Sequence, residues 1–215
     1  MVSNVFHPLN IFIVGLGGAF LIPLIYRFGR SWLPGVFVLA LAAMTLISGV
    51  SLWRLAQGGM PIDILTGGAH PPYAIDLRMD LPEAIFAFSI NLVALLGAGA
   101  FVRGTYGAML LCLLLVMGVQ GMVMTRDLFN LFVFLEIVSV ATYGLLSLQD
   151  TSAALSAAFK YLMATVLAST FFLIGTVLLY ATTGILNIDD LIVVNRRNEP
   201  VGMIDLQDLP KLKLL

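Results

Sequence analysis

Long apolar runs alternate with short polar interruptions along the whole chain, and the natural ruler for such a pattern is the bilayer, whose hydrocarbon core takes about 20 apolar helical residues to cross. Six runs reach that length, at about 9–26, 32–55, 81–102, 106–124, 127–148 and 153–182. An even number of spans puts both ends of the chain on one side. The interruptions have local causes. "RFGR" at 27–30 brings charge and a glycine. Asp80, followed by Pro82 and Glu83, has the form of a capping box at the start of the third run. Asp150 or Thr151 can cap the sixth helix, and Gly184 suits its C-terminal cap.

Between the second and third runs lies "AQGGMPIDILTGGAHPPYAIDLRMD", where Ile62, Ile64 and the stretch Ala74 to Leu77 alternate partly with polar residues around "TGGAHPPY". That pattern predicts a short extramembrane β-hairpin. After the sixth run, "NIDDLIVVNRRNEPVGMIDLQDLPKLKLL" holds no apolar stretch long enough to cross again. It reads as a polar surface tail with a short helix at 188–194. The expected architecture is an all-α polytopic membrane protein of six helices over 1–187, with the hairpin between helices 2 and 3 and a tail over 188–215.

Composition agrees: 60% of residues are hydrophobic, 11% are charged and mean hydropathy is +1.02, far from the soluble average. A net charge of −1 and a pI near 6.0 offer nucleic acid no basic patch. The single cysteine, Cys112, sits inside "GAMLLCLLLVMGV", so a disulfide framework is excluded. "MVSNVFHPLNIF" has no Lys or Arg ahead of its apolar core and no small-x-small cleavage site behind it, which predicts a retained anchor. Arg27, Arg30 and Arg103 fall on one side of the membrane, while Arg54, Arg78, Arg126, Arg196, Arg197, Lys211 and Lys213 fall on the other. A simple positive-inside count therefore puts the termini and the hairpin in the cytoplasm.

Two charges lie where lipid should forbid them. Glu136 sits about nine residues into the fifth span, near the midplane for a helix rising about 1.5 Å per residue. A carboxylate there is expected to face protein or a hydrated cavity, with a partner or a raised pKa. The candidate partner is Lys160 in "SAAFKYLMATVLAST". Only "LQDTS" joins the fifth and sixth helices, which makes them antiparallel neighbours. Counted from that loop, Glu136 lies roughly 18 Å deep and Lys160 roughly 9 Å, a gap that side chains and a water or two can bridge. The pair reads either as a structural tie or as a proton or ion relay in which the cation tunes the carboxylate.

Ser139, Thr142 and Tyr143 follow Glu136 at helical spacing and are compatible with a polar path, although such residues more often bond the backbone or a neighbouring helix. Gln120 and Asn91 invite the same structural reading, and Asp127 and Asn130 suit the start of the fifth helix. The glycines of "GLGGA", "GAGA" and "GVQG" predict close helix approach rather than a nucleotide loop. His7 and His70 are far apart in loops with no metal-ligand spacing around them. Neither a Ser-His-Asp set, a phosphate loop nor paired catalytic carboxylates can be assembled, so no soluble catalytic centre is expected.

The stretch "DLFNLFVFLEIVSVATYGL", followed by "AAFKYLMATVLASTFFLIGTVLLYATTGILNI", resembles the antiporter-like membrane subunits shared by Mrp-type Na+/H+ antiporters, respiratory complex I and membrane-bound hydrogenases, most of all the D-type member of the Mrp antiporters. "GGAHPPYAIDLRMD" fits the same family's segment before its third helix. The resemblance runs from about 10 to 190. It implies that Glu136 is the family's fifth-helix glutamate and Lys160 the sixth-helix basic residue that modulates it. It also implies the orientation opposite to the charge count, with "RFGR" and "LQDTS" inside. Members of the family normally continue into a seventh helix bearing a lysine and a second, inverted half, whereas this chain reaches only the sixth helix. The expectation is a short, split or truncated antiporter-like subunit of a multisubunit complex in a prokaryotic cytoplasmic membrane. It would take part in H+ or Na+ translocation coupled to antiport or to a redox reaction in other subunits. Partner chains would supply further helices, and the chain itself would hold no flavin, iron-sulfur cluster or other cofactor. The alternative is a non-translocating scaffold.

Overall fold

A computed structural model describes residues 6–65, 76–194 and 200–203. The helices are α1 (Leu9–Phe28), α2 (Leu33–Ala56), α3 (Leu81–Val102), α4 (Tyr106–Met124), α5 (Leu128–Ser147) and α6 (Ser152–Thr183). All six are long and apolar enough to cross a membrane, and the chain is an integral membrane protein. Strands β1 (Ile62–Leu65) and β2 (Asp76–Met79) pair antiparallel between α2 and α3, with Ile62 opposite Met79 and Asp63 opposite Arg78. The predicted turn of this hairpin, with His70, lies outside the described residues.

The helix ends follow from their caps. Asp80 accepts from the Leu81 amide at 2.7 Å and Glu83 reaches back to the Asp80 amide at 3.0 Å, closing the capping box. Thr105 caps α4 through the Ala108 amide. At α6 the cap is Thr151, bonded to the Ala154 amide at 3.1 Å, while Asp150 takes the turn itself at a φ of 47°. Gly184, at a φ of 74°, stops α6 in the left-handed conformation and donates to the Tyr180 carbonyl.

Helices α1 to α4 close a bundle in which α4 touches α1, α3 and α5, and α6 packs chiefly against α5. The core is built from Ile11, Ile22, Phe37, Met44, Leu113 and Met117. Glycine sets the spacing at two crossings. A side chain at Gly18 would press on Ala40 and Leu113, and one at Gly121 would run into the Phe134 ring of α5. The "GAGA" glycines differ from expectation: a methyl group on Gly97 or Gly99 meets nothing within 4 Å, because this part of α3 faces outward.

The segment after α6 also departs from the sequence reading. A 3-10 turn at Asp189–Leu191 leads into β3 (Ile192–Val194), which pairs antiparallel with β4 (Pro200–Met203), where a short helix was expected. The run is too short for a helix and rich in β-branched residues, which favour strand. Nor does it all lie at the surface, since Leu191 is fully buried. Just before it, the Leu186 carbonyl accepts from the Leu128 amide at 2.9 Å and the Ile188 amide donates to the Arg126 carbonyl at 2.7 Å. The remainder of the tail, from 204 on, lies outside the described residues.

Candidate functional site

Helix α5 carries the residues of interest, and its rotation is set by α4. Gly121 makes room for Phe134, and Gly118 for Ile137 and Val138, so these residues turn into the bundle. Glu136 then borders a groove of about 440 Å³ between α1, α4 and α5. Leu16, Leu114, Met117, Phe132, Val133 and Val140 make its other walls, all of them apolar. The carboxylate is half-buried, and among the described residues no cation lies within salt-bridge distance of it.

Lys160 does not come to it. Ala158, Ser169 and Thr176 mark the buried face of α6, and Lys160, two residues beyond Ala158, lies about 200° around the helix on an exposed face. Length adds to the separation. The 32 residues of α6 make about 48 Å of helix against about 30 Å for the 20 residues of α5. The short loop joins the two at one end and the backbone bonds of 126–128 to 186–188 join them at the other. Lys160, eight residues into α6, stays near the loop end. The two charges are not in salt-bridge contact.

The other residues of the expected path sit on α5 in order. Ser139 is buried one turn after Glu136. Thr142 donates to the Val138 carbonyl at 2.7 Å and lines a second cavity, of about 510 Å³, at the loop end with Thr105 and Gln149. Tyr143 is half-buried. Polar groups therefore step from mid-helix toward the loop face. Asn91 and Gln120, both fully buried, tie helices together: Asn91 donates to the Met44 carbonyl and Ser48 hydroxyl of α2, and Gln120 to the Ala87 carbonyl of α3. Asp127 caps α5 through the Asn130 amide at 2.7 Å, as its position suggests. His7 accepts from the Leu9 amide, and the described residues contain no cluster suited to a metal ion.

A feature that sequence reasoning missed lies at the opposite end. The α4–α5 junction is a short extended segment held between β2 and the chain after α6: Leu77 bridges to Thr125, Asp127 to Asn187, and the Arg126 amide donates to the Asp76 carbonyl at 2.9 Å. Arg126 Nη2 donates to Glu83 Oε1 at 2.5 Å, and its Nε lies 3.8 Å from Asp189. Glu83 thus serves the α3 cap with one oxygen and the α5 junction with the other. Burial raises the Asp127 carboxyl pKa against the pull of the Asn130 and Phe129 amides. It also raises that of Asp76, with the nearby charges of Asp63 and Asp189 adding to the shift and Arg78 opposing it. The one sequence signal was "TRD", charge crowded at a helix junction.

Residues 125–206 match the family described as NADH:quinone oxidoreductase/Mrp antiporter, TM. The chain is 38% identical over 197 residues to the N-type subunit of the NADH-quinone oxidoreductase of Desulforudis audaxviator, a match covering 87% of this chain and 39% of that protein. It is 31% identical over 189 residues to the D-type subunit of the Na(+)/H(+) antiporter of Bacillus subtilis, covering 84% of this chain and 38% of the relative. Among solved structures, the membrane-bound sulfane sulfur reductase, an archaeal respiratory membrane complex, superposes with a TM-score of 0.79 at 33% identity, over 84% of this chain and 38% of its counterpart. The chain thus spans about two fifths of the length of the relatives it matches.

Proposed function

This chain belongs to the antiporter-like family of Mrp and NADH:quinone oxidoreductase membrane subunits, and from that premise we propose that it takes part in H+ or Na+ translocation as a partial-length subunit of a multisubunit complex in a prokaryotic cytoplasmic membrane. Glu136 is the protonatable centre. The observation that carries this reading is its setting: a carboxylate more than two turns into a transmembrane helix, bordering an otherwise apolar groove, with no cation in contact among the described residues. A group so placed responds strongly to any proton, cation or charged side chain that arrives. Ser139, Thr142 and Tyr143 form its route toward the loop face, and Lys160 modulates it from a distance. Other subunits supply the further helices that complete the pathway. They also carry the antiport partner reaction or the redox chemistry, of hydrogenase or other type, together with any cofactor.

A second reading, a non-translocating scaffold, is favoured by the outward turn of Lys160 and the apolar walls around Glu136. Transport by the assembled complex separates the two. Glu136→Gln, in a complex that still assembles, is expected to abolish ion-gradient formation by the wild-type route, whereas undiminished transport in that complex would make the chain a scaffold.

A further inference from the structure

The outward face of α3 and α4 carries a groove that runs toward the loop-end cavity bordered by Thr142. Its inner part, about 500 Å³, is walled by Val93, Gly97 and Phe101 of α3 and by Cys112, Val116 and Val119 of α4. Its outer part is the loop-end cavity of about 510 Å³, which shares Phe101 and adds Gly104, Thr105, Ala108 and Gln149. Positions 93, 97 and 101 on α3, and 119, 116, 112 and 108 on α4, recur at three- and four-residue spacing, so each set lies along one helix face. The two cavities meet at Phe101, the inner one apolar and the outer one, at the loop end, bordered by Thr105, Thr142 and Gln149. From Ser89 to Gly104 they follow about 22 Å of helix. One leaflet of hydrocarbon is about 15 Å deep.

Charge marks the mouth. The loop face carries Arg27, Arg30 and Arg103, none of which has an ion-pair partner among the described residues. Tyr26 stacks on Tyr106 at 4.3 Å and Arg30 lies over Tyr26 at 5.3 Å, which gathers the first connection against the start of α4, next to the mouth. Asp150 is the one acidic residue described on that face. At the opposite end Asp63, Asp76, Asp80, Glu83, Asp127 and Asp189 outnumber Arg54, Arg78 and Arg126. An occupant of the groove must be apolar over most of its length and anionic at its loop-face end. An anionic phospholipid has that asymmetry, with acyl chains for the apolar stretch and a charged phosphate for the mouth.

We propose that the α3–α4 groove binds one anionic phospholipid, with an acyl chain lying between Gly97 and Val116 and the phosphate held at the loop face by Arg103. Gly97 is what leaves the groove open, because a side chain there would enter empty space and not a neighbouring residue.

The test uses the protein in whatever complex it is isolated with. Native mass spectrometry after incubation with equal amounts of phosphatidylglycerol and phosphatidylcholine bearing the same acyl chains should find one phosphatidylglycerol retained per chain. A diazirine-tailed phosphatidylglycerol should crosslink to peptides covering 89–101 and 112–119, a readout on wild type that no folding defect can mimic. Arg103→Gln should lower the preference for the anionic lipid about fivefold, the usual effect of one basic residue near an anionic headgroup. Gly97→Leu should expel the lipid. Equal retention of both lipids, labelling spread evenly over the six helices, labelling of another subunit's helix in the groove, or unchanged binding by Gly97→Leu would each overturn the proposal.

Discussion

Replacing Gly121 with alanine adds one methyl group where α4 and α5 cross, and the structure says where it goes. The new carbon would overlap the ring of Phe134, so ring or helix must retreat by more than an ångström to regain the roughly 3.5–4.0 Å of ordinary carbon contact. The ring has little freedom to do so, because it also stacks on Phe12 of α1 at 5.8 Å. Overpacking of this kind costs about 1–3 kcal/mol, and with the ring also packed on Phe12 about 2 kcal/mol is expected. The signature is in the pairing. Phe134→Ala removes the obstacle, so in that background Gly121→Ala should cost less than about 0.5 kcal/mol, giving a coupling of roughly 1.5 kcal/mol in a double-mutant cycle. Unfolding in mixed micelles of dodecyl maltoside and SDS, followed by helical circular dichroism, measures all four variants. Equal effects of Gly121→Ala in both backgrounds, or none in either, would refute the claim that this glycine fixes the rotation of the helix bearing Glu136.

Arg126→Gln should destabilise by about 2 kcal/mol in the same assay, below the roughly 3–5 kcal/mol of a fully buried pair because Arg126 keeps some exposure, and it leaves Glu83 without its cation. Gln120→Leu should change stability by no more than about 0.5 kcal/mol, since Gln120 makes one interhelical bond while its own carbonyl oxygen is buried unpartnered. Asn91→Leu, which breaks two such bonds, should cost about 1 kcal/mol. For Asp76 the sign is fixed by a folded pKa above the ordinary 3.8: the folded chain binds the proton more tightly than the unfolded one, so this contribution is present below 3.8 and is lost as pH rises through the raised value. Asp76→Asn should therefore be more stable than wild type at neutral pH, and thermal denaturation curves of the two should converge on acidification.

The spans, the capping box, the Thr151 and Gly184 caps and the hairpin were legible in the sequence because each rests on local chemistry: run length, a side chain within three residues of an amide, a glycine free to go left-handed. Helix rotation was not legible. In a soluble protein an apolar stripe points inward, but lipid is as apolar as a core. The nearly uniform apolar surface of α6 therefore gives no sign that Lys160 faces out, and "GAGA" reads the same whether it packs or, as here, opens a groove. The contacts of Thr125 to Asp127 with β2 and with Leu186 to Ile188 were hidden for another reason, since they join segments far apart in the chain. Glu136 and its setting fall between: its depth was countable, its apolar neighbours on α1 and α4 were not.

The backbone bonds that join Arg126 and Leu128 to Leu186 and Ile188 have a mechanical meaning. Helices α5 and α6 are tied by a covalent loop at one end and by this lacing at the other, so together they make a closed frame. A closed frame resists shear: neither helix can slide past the other without breaking hydrogen bonds. The backbone interval between Glu136 and Lys160 is therefore a fixed dimension of that frame, set by its two ends and not by any bond between the two residues.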